Sequence, residues 1–216
     1  MPVVLALVAL ALWNTFPVYP LRIFVVFLHE ISHGLAAVAT GGSIVRIELT
    51  SAEGGLCVTR GGWRFLVLNA GYLGSLAWGA LFLVGAARSE RDREIVGGIG
   101  AFTLAVTLLY VRTFFGFMYG LLAGATLVLV AWKLRPAVSD LLLKTIGVVS
   151  CLYGVWDVFS DVVFRSVPGS DANALGQLTG IPGVLWGAVW IGIDLAVVAL
   201  SLRSASRSSS SPQLSL

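Results

Sequence analysis

Apolar runs about as long as a bilayer is thick recur from one end of this chain to the other, and that repetition constrains the fold more than any motif. Hydrocarbon offers no partner to a bare N–H or C=O, so each crossing segment must satisfy its own backbone, as a helix does. With 57% hydrophobic and 12% charged residues and a mean hydropathy of +0.92, the chain reads as an all-α polytopic membrane protein. At roughly 20 residues per span, helices are predicted near 2–18, 20–41, 64–87, 95–112, 114–133, 141–164 and 183–202. That is about seven transmembrane helices, with six possible: the least marked features are the first, which is short and followed by Pro17 and Pro20, and the split near Arg112. No basic n-region precedes "VVLALVALALW" and no A-x-A-like cleavage site clearly follows it, so it is read as a retained span.

Seven spans place nine basic residues on one side (Arg22, Arg88, Arg91, Arg93, Lys133, Arg135, Lys144, Arg203 and Arg207) and five on the other (Arg46, Arg60, Arg64, Arg112 and Arg165). The excess favours a cytoplasmic C-terminus. Residues 1–203 form a single membrane domain, and the Ser-rich stretch 204–216 is expected to be disordered. A net charge of +3 gives no hint of nucleic-acid binding. Cys57 and Cys151 are too few for a disulfide framework and read as inert apolar thiols. Between the second and third spans, "SIVRIELT" and "LCVTR" flank "SAEGG", which predicts a small β-hairpin over residues 44–60. It is either a connector outside the membrane or an edge strand able to pair with an extended peptide.

The run from Ile23 to Gly42 contains His29, Glu30 and His33, the only two histidines of the chain among them. A charge at the centre of a membrane helix costs at least about 2.5–3.5 kcal/mol, so Glu30 is expensive there unless it is used. Residues four apart on a helix differ by about 40° in direction, so His29 and His33 can share one cation, with Glu30 about 60° from His33 and beside it. Zinc suits such a pair: imidazole is a good ligand for it, and Glu30 then lies where it can take a proton from water.

Two histidines leave a catalytic zinc one protein ligand short. Asp157 and Asp161 share a face of the sixth predicted span, about 6 Å and 12 Å past its middle. The histidines lie mid-span on a helix running the same way, so depth favours Asp157 as third ligand. Asp161 then orients a ligand or sits in a water path. Asp194, at the middle of the last span, and Asp171 remain alternatives. Asp171 reads first as the opening of a short interfacial helix, capped by itself or Ser170 and ended by Gly180. In "NAGYLGS" and beyond, Gly71, Ser75 and Gly79 form a small-residue face for close helix packing. Asn69 is a candidate to hold substrate backbone or an oxyanion, or simply to cap a helix.

"FLHEISHGLAAVATGG", a β-like segment, "NAGYLGS" and a later aspartate together resemble the site-2-protease class of intramembrane zinc metallopeptidases, most closely its compact bacterial branch without a PDZ domain. The resemblance implies zinc on His29, His33 and, in the matching later span, Asp157, with Glu30 as general base. The class usually sets its aspartate in Leu-Asp-Gly and often follows its asparagine-glycine element with proline; here these positions read "VWDVF" and Tyr72. The implied activity is cleavage of membrane-embedded protein or peptide substrates, in a bacterial cell membrane. A different reading of the same residues is a non-proteolytic metal-binding scaffold or a transport-related protein. The oligomeric state is not legible from the sequence.

Overall fold

The structure is a computed structural model that describes residues 2–160 and 170–208, with the side chains of 198 and 201–208 left aside. In chain order its elements are α1 (Pro2–Ala11), α2 (Tyr19–Ala39), β1 (Ser43–Leu49), β2 (Gly55–Arg60), α3 (Arg64–Arg88), α4 (Asp92–Tyr110), α5 (Phe114–Lys133), α6 (Pro136–Phe159), α7 (Asp171–Thr179) and α8 (Gly183–Ser208). Among the described residues, α2 to α6 are each long and apolar enough to cross a membrane, and α7 with α8 make a sixth candidate bent by 118°. The chain is an integral membrane protein, with five or six such candidate spans among its described residues.

Among the described residues a seventh is not found, because α1 has only 10 residues. At 1.5 Å per residue it is about 15 Å long, half the hydrocarbon thickness. The chain then passes through a run of turns before Pro20 opens α2 within its first turn, where a missing N–H costs nothing. The break near Arg112 is real: Val111 and Thr113 are extended and separate α4 from α5. At the other end α8 runs on to Ser208, into the stretch expected to be unstructured; residues 209–216 lie outside the described part.

α2 is the centre of the bundle, with Ile23, Val25 and Phe27 fully buried against the surrounding elements. α3 packs on α2 and on α6. A Cβ at Gly79 would lie 2.9 Å from the carbonyl oxygen of Gly147, and one at Gly147 3.0 Å from that of Gly79, so α3 and α6 meet backbone to backbone.

β1 and β2 form the expected antiparallel hairpin, paired from Ser43↔Arg60 to Leu49↔Gly55 with an irregularity between Ile44 and Arg46. The hairpin does not stand clear of the helices as a connector would. It folds back along α2: Gly62 meets Ala37, Cys57 meets Gly34, Gly55 meets Glu30, and Glu53 at the turn pairs with Arg22 at 2.9 Å. Tyr19 donates a hydrogen bond from its hydroxyl to the Ser51 carbonyl, 2.7 Å, which ties the turn to the start of α2. The outer edge of β1 is covered, through a parallel bridge from Ile47 to Val111 and hydrogen bonds between the backbone of Leu49 and the Thr113 hydroxyl. Among the described residues no strand pairs with the outer edge of β2.

Candidate metal centre

His29 and His33 project from one face of α2 toward α3 and α7, as their spacing dictates. Nδ1 of His33 lies 2.7 Å from the carbonyl oxygen of Val67 on α3. A carbonyl only accepts, so Nδ1 carries the proton and Nε2 presents its lone pair to the cavity. That Nε2 is 3.1 Å from Oδ2 of Asp171, and so is Nε2 of His29. Lone pairs of His33 and a carboxylate repel unless a positive centre lies between them, either a metal ion or a shared proton.

The dimensions suit a metal. Zinc–ligand bonds of about 2.0–2.2 Å in a tetrahedral arrangement place ligand atoms about 3.3 Å apart, close to the 3.1 Å seen here. The three donor atoms lie within 4.8 Å of one another, and among the described residues no other group of three metal-binding side chains converges in this way.

The aspartate in this cluster is therefore Asp171, and the expectation that Asp157 would be the carboxylate closing on the histidines does not hold. Asp157 lines the same cavity without joining the cluster. Depth along a straight span is the wrong measure for Asp171, because it opens a short helix that turns sharply into α8. The local signals for that helix are all met. The backbone N–H of Asn173 donates to the Ser170 hydroxyl, and Gly180 ends the helix at φ 74°. Asp171 occupies its first turn, where the helix dipole favours a carboxylate. Asp161 lies outside the described residues. Asp194 is fully buried, with neither carboxylate oxygen hydrogen-bonded to a described residue, and is not in the cluster.

A second small core holds α7 in place. Tyr72, Val158, Ala172, Leu175 and Trp190 are buried together, drawn from α3, α6, α7 and α8. The Tyr72 ring meets His29 edge-on at 5.0 Å and Trp190 at 4.7 Å. Asn69 belongs to this support: its amide N–H donates to the Phe65 carbonyl at 2.8 Å and its oxygen accepts from Trp190 Nε1 at 2.9 Å. These bonds dock α8 on α3. Trp186 likewise ties α8 to the end of α7 by donating to the Thr179 hydroxyl.

Glu30 is only 5% exposed and sits beside the cluster, against the start of β2. A Cβ at Gly55 would lie 2.7 Å from the Glu30 carboxyl carbon. Gly71 does the same for the histidines: a Cβ there would come within 2.6 Å of Cε1 of both rings. The small-residue face of α3 thus divides, with Gly79 serving helix packing and Gly71 making room for the imidazoles. Gly71→Ala is expected to raise helix propensity by about 1 kcal/mol, yet to weaken zinc binding at least about tenfold by displacing both rings. Thermal unfolding and zinc titration of the purified variant check the two halves separately.

His29, Glu30, His33, Asp157 and Asp171 all border one cavity of about 750 Å³, whose wall on the hairpin side is β2 and the turn before it. Over residues 2–201 the chain matches the family model described as "Peptidase M50B-like". No curated protein and no solved structure matches it.

Proposed function

The chain belongs to the peptidase M50B-like family, the site-2-protease family, and we propose that it is an intramembrane zinc metalloendopeptidase. The observation that carries this reading is the convergence of His29, His33 and Asp171 within an apolar bundle, with Glu30 beside them. The three residues would hold the ion. When bound, zinc supplies Lewis acidity toward a carbonyl oxygen and toward water.

The protein's own residues do the rest. Glu30 takes the proton of the attacking water at a carboxylate oxygen and hands it to the leaving amine. Val67 holds His33 in the tautomer that leaves Nε2 available, and Tyr72 fixes the plane of His29.

A helical substrate hides its carbonyls in its own hydrogen bonds, so it must be drawn out before hydrolysis. The outer edge of β2 is the surface for this: among the described residues no strand pairs with it, Gly55, Leu56, Cys57 and Thr59 border the cavity, and the Cys57 backbone N–H donates to the Glu30 carboxylate. An extended substrate segment adds to it as a third strand and passes Glu30 at its Gly55 end. The substrate is a membrane-embedded protein or peptide, the setting a bacterial cell membrane, and the C-terminus cytoplasmic.

The test is cleavage of a labelled transmembrane peptide by purified protein in vesicles. Activity is expected to vanish with a chelator, return with one equivalent of zinc and yield fragments split inside the apolar segment. Stoichiometric zinc with every peptide left intact would instead favour a metal-binding scaffold.

A further inference from the structure

The cavity wall contains one Lys or Arg side chain among the described residues, Arg64. Glu53, also in the wall, is already matched by Arg22. Arg64 is exposed and has no carboxylate within 4.0 Å among the described residues. Its position costs stability. It is the first residue of α3, a helix with no acid in its first turn and no side-chain cap, so its charge adds to the positive end of the helix dipole. Arg64 thus stands as a cation against local preference at the border of a cavity otherwise lined by Glu30, Glu53, Asp157 and Asp171.

We infer that Arg64 selects substrates carrying an acidic side chain a few residues from the scissile bond. The inference rests on the protease reading and on substrate pairing along β2. The geometry sets the spacing. β2 runs from Gly55, against Glu30, to Arg60, and the turn through Gly61 and Gly62 leads directly to Arg64. A strand laid along β2 advances about 3.3 Å per residue, and Glu30 touches β2 from Gly55 to Cys57, so the strand reaches the Arg64 end about three to five residues from the point opposite Glu30. Arg64 also precedes Val67, the residue that holds His33, by three positions, about 4.5 Å along α3. An Asp or Glu at that register meets a guanidinium, whereas one nearer the centre comes up against Glu30 and Asp157 beside the metal ligands.

The experiment uses full-length protein carrying Glu30→Gln in nanodiscs, and one fluorescent apolar transmembrane peptide with a single Asp, Asn or Lys placed at successive positions. At one register the Asp peptide is expected to bind about fivefold more tightly than the Asn peptide, the scale of one partly solvated ion pair. Arg64→Gln removes that ratio, Arg64→Lys keeps part of it, and Arg64→Glu transfers the preference to the Lys peptide. A ratio unchanged within twofold in Arg64→Gln, or no charge-dependent register at all, overturns the inference. So does an effect that follows the charge of the nanodisc lipid equally for every peptide, which would make Arg64 a headgroup anchor. Cleavage by the parent enzyme is scored separately. Charge-selective binding without cleavage fails the protease reading alone, and cleavage blind to Arg64 fails this inference alone.

Discussion

Asp171→Ala is expected to lower zinc affinity by at least about 100-fold and to abolish stoichiometric binding, while Asp157→Ala stays within a few-fold of the parent. Outer-shell partners of metal ligands already cost 10–100-fold when removed, so a ligand lost outright should cost more. The contrast rests on geometry. Oδ2 of Asp171 is 3.1 Å from both Nε2 atoms, whereas Asp157 borders the cavity outside the cluster. The Asp171 variant also gives up a carboxylate in the first turn of α7, worth about 0.3–1 kcal/mol, too little to unfold the bundle. Metal content and competition with a chelating dye, read beside a thermal melt, separate ligand loss from misfolding. Zinc retained by Asp171→Ala and lost by Asp157→Ala would reverse the assignment.

Where the sequence falls short on this point is instructive. Every local feature of α7 is legible in "GSDANALGQLTG": the capping serine, the acid in the first turn and the glycine with positive φ. Because opening a helix accounts for Asp171 so completely, nothing local asks for a second role. Its other partners are His29 and His33, about 140 positions away, and only the tertiary fold brings them together. Depth along a span ranks side chains correctly when helices run straight through the bilayer, and it fails for a helix that enters and turns. Asn69 meets the same limit of range. A polar amide in an apolar helix can serve a substrate or a neighbouring helix, and Trp190, the neighbour it serves, is 121 positions distant.

What is legible depends on short range. The HExxH spacing places two imidazoles and a carboxylate on adjacent directions of one helix whatever surrounds it, and α2 bears this out. The hairpin likewise follows from alternation and a glycine-containing turn, and β1 and β2 match the expected stretch within a residue or so. Its placement does not follow, since nothing in "SAEGG" says that the turn will reach back to Tyr19 and Arg22. Gly71 shows the same boundary. Its spacing with Gly79 marks a close approach, but only the packed structure shows that imidazoles, and not a helix backbone, come close to it.

Glu30→Gln is expected to keep zinc within about threefold of the parent and to lose about 10²–10⁴-fold in the rate of peptide cleavage. Glutamine has nearly the same size and shape, so it fits the space that Gly55 leaves for the carboxyl group. Both histidines keep their own supports, Val67 behind His33 and Tyr72 against His29, so the ligand geometry has no reason to move. What the amide lacks is basicity: it cannot accept the proton of water or return it to the departing amine, and positioned proton transfer contributes a factor of that size. Glu30→Asp tests position in place of chemistry. It keeps the base and withdraws it by one methylene, about 1.5 Å, and a 1 Å misplacement already costs on the order of 10²-fold. The Asp variant should therefore also be slow, with its residual rate still requiring an ionised carboxylate and so falling in acid, while the residual rate of the Gln variant does not depend on ionisation at position 30. Cleavage by Glu30→Gln within tenfold of the parent, with zinc intact, would show that the base is another group, and Asp157 in the same cavity would be the next residue to replace.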